Sequence, residues 1–279
     1  MISLPAEADL SSALQDACER GELFMLYQPK IALGTGEMVG VEALIRWNSS
    51  LFGLVLPSLF IPVAERCGGI DELTEWGLRE SLRQWVLWSE QGLKTNLAFN
   101  VSALALRDLR FPDLVRRLCR SEGVPPEMLT LEITEGAAQN MLRMLDTITR
   151  IRIAGVSVEI DDFGTGYSSL LQLRELPYTG VKIDLSFVQD AARDPDALII
   201  VESMIGLAHA LGLTATAEGV EDTTTLELLR DLGCDFAQGF LFAPPLDPTE
   251  LAPWLLRSAP RWRRLAGGAS APSEVIFAR

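Results

Sequence analysis

Residues 156–169 read VSVEIDDFGTGYSS: a short β-rich run, Val156 to Asp161, ends in two adjacent aspartates and passes into a loop with two glycines. Gly164 and Gly166 let the chain bend sharply, and Thr165, Ser168 and Ser169 are able to cap the helix that follows. The same unit, a β-rich stretch and then an amphipathic one, recurs on both sides, which is the mark of β/α units around a mainly parallel sheet. Seven more strands are predicted: Leu23 to Gln28, Val39 to Trp47, Leu97 to Val101, Leu129 to Thr134, Gly180 to Asp184, Thr214 to Ala217 and Asp235 to Gln238. Between them lie helical patterns such as Leu78, Leu82, Trp85 and Val86, or Ile200, Met204, Ala208 and Leu211, each spaced to gather its apolar members on one face. A closed α/β barrel with its helices outside fits this order and a length of 279 residues.

Composition narrows the function classes. With 24 Lys+Arg against 38 Asp+Glu the net charge is −14, so DNA or RNA binding on a basic surface is not expected. A hydrophobic share of 48% and a mean hydropathy of +0.20 describe a chain that buries a large core. His209 is the one histidine, which argues against His-rich zinc sites and a Ser/His/Asp triad, and its place in the helical run SMIGLAHALGL gives it no chemical role. Cys18, Cys67, Cys119 and Cys234 lie far apart in sequence and read as separate, reduced, mostly buried thiols. Neither a signal peptide nor an apolar run of membrane-spanning length is present, so a cytoplasmic protein without a membrane span is expected.

Residues 8–20 are predicted as a helix before the first strand, with Asp9 or Ser11 as its cap. Residues 1–258 form the expected domain; the stretch 259–279, with Pro260, Arg261, Arg263, Arg264, two glycines and Pro272, reads as a flexible tail. So little chain precedes the first strand that the sequence is expected to be either a stand-alone protein or a piece of a longer one.

Most predicted strands end in an acid or amide set among apolar residues: Glu42, Asn100, Glu132, Asp161 and Asp162, Lys182 and Asp184, Glu218, Gln238. Burying carboxylates strand after strand costs several kcal/mol each unless cations compensate. The C-terminal strand ends of a barrel converge on one mouth, so a single shared site explains the pattern. Six carboxylates and one ammonium carry about −5, which two divalent cations bring to about −1. All-oxygen ligation selects Mg²⁺ or Mn²⁺, and Asp161 beside Asp162 suits two ions, one carboxylate bridging both. Two such ions suit hydrolysis of a phosphodiester.

Seven stretches in this order, GVEALIRW, NVS, LEITE, DDFGTGYSS, VKID, AEGVE and QGFLFAPPL, resemble the bacterial EAL-domain phosphodiesterases of cyclic di-GMP, from about Leu23 to Leu246. The resemblance implies a modified TIM (β/α)8 barrel whose first strand is antiparallel to the others. It implies hydrolysis of cyclic di-GMP to linear pGpG with Mg²⁺ or Mn²⁺, two per active site. Glu42, Asn100, Glu132 and Asp161 look like ligands of one ion, and Asp161 and Asp162 of the second. Glu42, Lys182 and Glu218 are the implied catalytic residues. A lysine among carboxylates stays protonated, which makes Lys182 the electrostatic stabiliser and Glu218 the base or water orienter.

Gln28, Leu44, Arg46, Asp184 and Gln238 are the implied substrate contacts; Gln238 also supports the water, and Glu135 matches a glutamate that holds the DDFGTGYSS loop in shape. A homodimer contact beside that loop is implied as well. Phe163, Tyr167 and Phe187 are candidates for stacking on guanine. Two positions depart from the family pattern: residues 48–57 lack a frequent His-Pro, and Leu185 stands where arginine is frequent. Glu159, one strand period before Asp161, is expected in a polar contact at the bottom of the barrel. A catalytically inactive cyclic di-GMP receptor and a protein-interaction module are the alternatives, and both are expected to have lost ligands that this chain keeps.

Overall fold

A computed structural model describes residues 7–134, 141–166 and 170–266. Among the described residues nine strands form one sheet: β1 (Leu23–Ala32), β2 (Met38–Ser49), β3 (Gly53–Val55), β4 (Asn96–Val101), β5 (Leu129–Thr134), β6 (Ser157–Phe163), β7 (Gly180–Ile183), β8 (Thr214–Ala217) and β9 (Phe236–Ala237). Their order is β1-β9-β8-β7-β6-β5-β4-β2-β3, and a further β1–β2 pairing closes eight of them into a barrel. The first strand is antiparallel to both its neighbours, while pairings from β2 through β4 to β9 are parallel. All eight predicted strands are ring strands, and their ends shift by a few residues. The extra strand β3 pairs only with β2, and its three residues are too short for alternation to reveal.

Helices α1 (Glu7–Leu14), α2 (Pro57–Cys67), α3 (Ile70–Glu90), α4 (Phe111–Glu122), α5 (Met141–Ile153), α6 (Leu170–Glu175), α7 (Leu185–Val188), α8 (Pro195–Ala210), α9 (Thr223–Asp231) and α10 (Leu251–Leu265) complete the fold. Leu78, Leu82 and Trp85 of α3 are buried as their spacing predicts. In α8 the buried stripe is Ala197, Val201, Ile205 and Ala208, whereas Ile200 and Leu211 of the predicted stripe are exposed. That helix is apolar nearly all round, so spacing alone cannot fix the face it buries.

Both chain ends depart from expectation. Helix α1 stops at Leu14, residues 15–21 continue as turns, and Asp9 and Ser11 lie inside the helix instead of capping it. A second apolar cluster under these turns joins Leu10 and Leu14 to Trp47, Phe60 and Leu73. At the other end α10 runs on through Pro260 to Leu265, so residues 259–265 are helical where a flexible tail is predicted. Proline inside a helix costs about 3 kcal/mol. Burying a tryptophan returns roughly 4–6 kcal/mol, and Trp262, 4% exposed, packs edge-on to Phe242 at 4.8 Å between ring centres. A Cβ on Gly36, in the β1–β2 turn with φ 69°, would lie 2.3 Å from the Trp262 carbonyl oxygen, so glycine is required there. The rest of the predicted tail, 267–279, lies outside the described residues.

All four thiols are free: Cys119 and Cys234 are buried, Cys18 is half-buried and Cys67 is exposed, so only two of the four meet the expectation of burial. His209 lies on the surface, its Nε2 2.9 Å from Asp235 Oδ2.

Candidate active site

Strand register brings the acids together. In-facing residues alternate along a strand, and the pairings Gln28 with Glu42, Asn100 with Glu132, and Thr134 with Asp161 carry the in-facing row around the ring. Between β6 and β7 the register slips between Ile160 and Phe163, where three steps on β6 match two on β7. This bulge holds Asp161 and Asp162, and Asp162 has φ 54°, the one positive φ outside glycine among the described residues. An aspartate tolerates that conformation better than most residues, and bulges re-aim side chains beside functional sites. Here the bulge puts carboxylate oxygens of adjacent residues, Asp161 and Asp162, within 4.8 Å of each other and of Glu218.

Lys182, on β7 opposite the bulge, is fully buried. Its Nζ lies 2.8 Å from Glu218 Oε1, 3.0 Å from Glu132 Oε2, 3.1 Å from Asp161 Oδ1 and 3.3 Å from Glu42 Oε2. Asn100 Nδ2 donates to Glu42 Oε1 at 2.6 Å, and Gln238 Nε2 donates to Glu42 Oε2 at 2.7 Å and to Gln28 Oε1 at 2.9 Å. Gln28 Nε2 in turn donates to the Ala243 carbonyl. Glu42, Asn100, Glu132, Asp161, Asp162, Lys182, Glu218, Gln28 and Gln238 thus form one connected cluster.

One cation is too little for these acids. Burial would lower the Lys182 pKa, yet Asp161, Glu132, Glu218 and Glu42 outweigh it and hold the ammonium well above its ordinary range. Burial, with Glu42 and Asp161 beside it, raises Glu132 well above the usual carboxylate range against the pull of Lys182 and Lys30. Glu218 is pushed up to about 7 by burial and by Asp161 and Glu42, although Lys182 opposes this. Asp162 is raised by burial, Asp161 and Asp184. Glu42 is lowered, because Lys182, Asn100 and Gln238 together exceed the cost of its burial. Buried Glu132 Oε1, Asp161 Oδ1 and Gln238 Oε1 accept no hydrogen bond among the described residues. Oxygen donors short of positive charge fit hard divalent cations.

Beside the cluster, Leu44, Arg46 and Asn100 line a cavity of about 420 Å³ with Glu65, Phe99 and Ser102. Arg46 is half-buried and donates to its neighbour's carbonyl, Ile45 O; among the described residues it has no ion-pair partner. Ser102 accepts from Leu104 N at 3.1 Å and donates to Glu65 Oε1 at 2.6 Å. Asp184 caps α7 by accepting from Ser186 N at 3.0 Å. Of the aromatic candidates, Phe163 is buried in the core, and Phe187 packs where a Cβ on Gly164 would stand. Tyr167, Ser168, Ser169 and Glu135 lie outside the described residues.

One buried charge, Lys30, escapes sequence reading. Lys30 Nζ sits 2.8 Å from Glu159 Oε2 and 3.7 Å from Glu132 Oε1, a second ammonium below the first. Burial favours its neutral form, but Glu159 and Glu132 raise its pKa above the ordinary value. Glu159 therefore does point into the barrel and does make a polar contact there. The partners are 129 residues apart, and local spacing gives no sign of the pair.

The sequence matches the EAL domain over residues 11–245. The chain is 39% identical over 250 residues to the cyclic di-GMP phosphodiesterase PA2567 of Pseudomonas aeruginosa, covering 89% of this chain and 43% of that protein. It is 36% identical over 247 residues to the cyclic di-GMP phosphodiesterase RocR of the same organism, covering 88% of this chain and 62% of RocR. It thus spans less than two thirds of either relative. Among solved structures, the PaMucR phosphodiesterase in its c-di-GMP complex superposes with a TM-score of 0.83 at 40% identity, over 87% of this chain and 99% of that one. A reversed first strand, a ring of acids around one lysine and a match over most of its length place this chain in the EAL domain family.

Proposed function

We propose that this chain hydrolyses cyclic di-GMP to linear pGpG. The observation that carries this reading is the gathering of Glu42, Glu132, Asp161 and Glu218 around Lys182, with buried oxygens that accept no hydrogen bond among the described residues. Glu42, Asn100, Glu132 and Asp161 would hold one Mg²⁺ or Mn²⁺, and Asp161 with Asp162 a second. Bound there, the ions would lower the pKa of the attacking water and neutralise charge growing on the phosphoryl oxygens.

The side chains divide the remaining work. Glu218 is the most exposed of the four acids around Lys182, at 17% against 0–13% for the others, which supports it as the residue that orients the water and takes its proton. Lys182 stays charged, fixes Glu218 and Asp161, and stabilises developing negative charge. Gln238 and Asn100 hold Glu42 by donating to it, and the free Oε1 of Gln238 is available to the water. The forked guanidinium of Arg46 binds a phosphate, and Gln28, Leu44 and Asp184 contact the nucleotide. As the new P–O bond forms, the bond to the 3′-oxygen breaks, and that oxygen takes up a proton and leaves as the 3′-hydroxyl of pGpG, which keeps one terminal 5′-phosphate.

Incubation with cyclic di-GMP and Mg²⁺ or Mn²⁺, followed by chromatography, is expected to yield pGpG. Tight binding with the dinucleotide left intact would overturn hydrolysis in favour of a receptor. Homodimerisation beside the DDFGTGYSS loop belongs to the same proposal, and a monomer in light scattering at high concentration would refute it. Because relatives are longer, sensor or cyclase domains in a parent chain are also proposed. The free thiols support a cytoplasmic location. Among the described residues no helix is long and apolar enough to cross a membrane.

A further inference from the structure

Beneath the acids the barrel carries an ion pair that the hydrolytic reading does not use. Glu132 and Glu159 are register partners on adjacent parallel strands, so two in-facing carboxylates lie side by side. Like charges so placed repel, and both side chains are buried. Lys30 reaches them from β1, 2.8 Å from Glu159 Oε2 and 3.7 Å from Glu132 Oε1. Space is made for the arrangement: on the neighbouring strand Gly180 is level with Glu159, and a Cβ there would stand 3.2 Å from Glu159 Cγ and 2.5 Å from Thr214 Oγ1. Glu132 Oε1, the oxygen nearer Lys30, accepts no hydrogen bond among the described residues, while Oε2 is held by Lys182.

We propose that Lys30 and Glu159 are positioning residues that set how tightly the acid cluster holds divalent cations. Lys30 places a positive charge beneath Glu132, and Glu159 neutralises it so that it does not oppose the ions. This inference rests on the metal-binding reading above. Outer partners of ligating carboxylates typically change metal affinity roughly 10–100-fold when removed.

The test is Mn²⁺ binding to the full chain without nucleotide, by titration calorimetry and by loss of the free-Mn²⁺ paramagnetic resonance signal, with circular dichroism confirming the fold. E159Q leaves Lys30 unneutralised and is expected to weaken Mn²⁺ binding by at least about tenfold. The double variant K30M/E159Q removes both charges and is expected to recover to within about threefold of wild type. K30M alone is expected to bind at least as tightly as wild type, an outcome that a merely structural lysine would not give and that stands even where E159Q folds poorly. Unchanged affinity in E159Q, weaker binding in K30M, or a double variant as weak as E159Q would each overturn the assignment and leave the cation site standing. Wild-type protein that takes up no Mn²⁺ would overturn the cation site itself, and this assignment with it.

Discussion

Replacing Lys182 by methionine keeps the length of the side chain and removes the ammonium that four carboxylates share at 2.8–3.3 Å. The folded protein has two ways to respond without unfolding: an acid takes up a proton, or a divalent ion enters. At pH 7, protonating a carboxylate whose ordinary pKa is about 4.3 costs 2.7 pH units at 1.36 kcal/mol each, or roughly 3.7 kcal/mol. This agrees with the roughly 3–5 kcal/mol typical of a broken buried ion pair. At about 2–4 °C per kcal/mol for a chain of this size, the midpoint of thermal unfolding drops by roughly 7–15 °C.

The sign with pH follows. An acid that keeps its proton in the folded variant has a folded pKa above the unfolded one, so the variant nears wild type at low pH and falls away as pH rises. At pH 5 the same protonation costs about 1 kcal/mol and the gap shrinks to roughly 2–4 °C. Mn²⁺ at about 100 times its dissociation constant adds roughly 2.7 kcal/mol to whichever protein binds it, and it is expected to raise the variant at pH 7 more than wild type. Differential scanning fluorimetry from pH 5 to 8, with and without Mn²⁺, measures all three. A gap that does not change with pH, or a variant as stable as wild type at pH 8, would refute the claim that charge compensation is what Lys182 supplies.

Glu218→Gln is expected to lower kcat for cyclic di-GMP by about 10²–10⁴-fold with nucleotide binding retained, as expected for loss of a general base and read by turnover and calorimetry. Asp161→Ala and Glu42→Ala are expected to abolish both Mn²⁺ uptake and turnover while circular dichroism stays native; a normal rate in either would sink the ligand assignment. Trp262→Ala empties a buried site and is expected to cost roughly 3–5 kcal/mol in urea unfolding, whereas a loose C-terminal segment predicts no change. Glu22 accepts hydrogen bonds from Arg20, Ser50 and Trp47, which lower its pKa to about 2. Its contribution is therefore complete above the unfolded value near 4.5 and is lost as pH falls toward 2, so the deficit of Glu22→Gln narrows over that range in thermal melts.

Strand ends carrying acids among apolar residues are legible because each announces itself within a few positions, and one shared mouth is the economical reason for the repetition. Glu42, Asn100, Glu132, Asp161, Lys182, Glu218 and Gln238 accordingly meet where the strand order predicts. What escapes is set by distant partners. The bulge at Asp162 depends on the register of β7. Lys30 reads as an ordinary residue after Pro29 until Glu159 is found across the barrel. Pro260 reads as a stop, although the place waiting for Trp262 lies against the β1–β2 turn. Ile200 and Leu211 look buried in sequence because α8 is apolar on several faces and only its neighbours choose among them.

The reversed direction of β1 makes depth in the barrel run backwards along its sequence. Its partners show this: Gln28 is level with Glu42, and Lys30, two residues later, is level with Gly40 further from the mouth. A single two-residue step thus spans the acid cluster and the floor of the barrel beneath it. Deleting one residue between Ala32 and Met38 could shift this strand by one position and turn both side chains outward, with Pro29 and Ile31 taking the inward places. Length in a surface turn away from the acid cluster would then decide whether those carboxylates have anything beneath them to lean on.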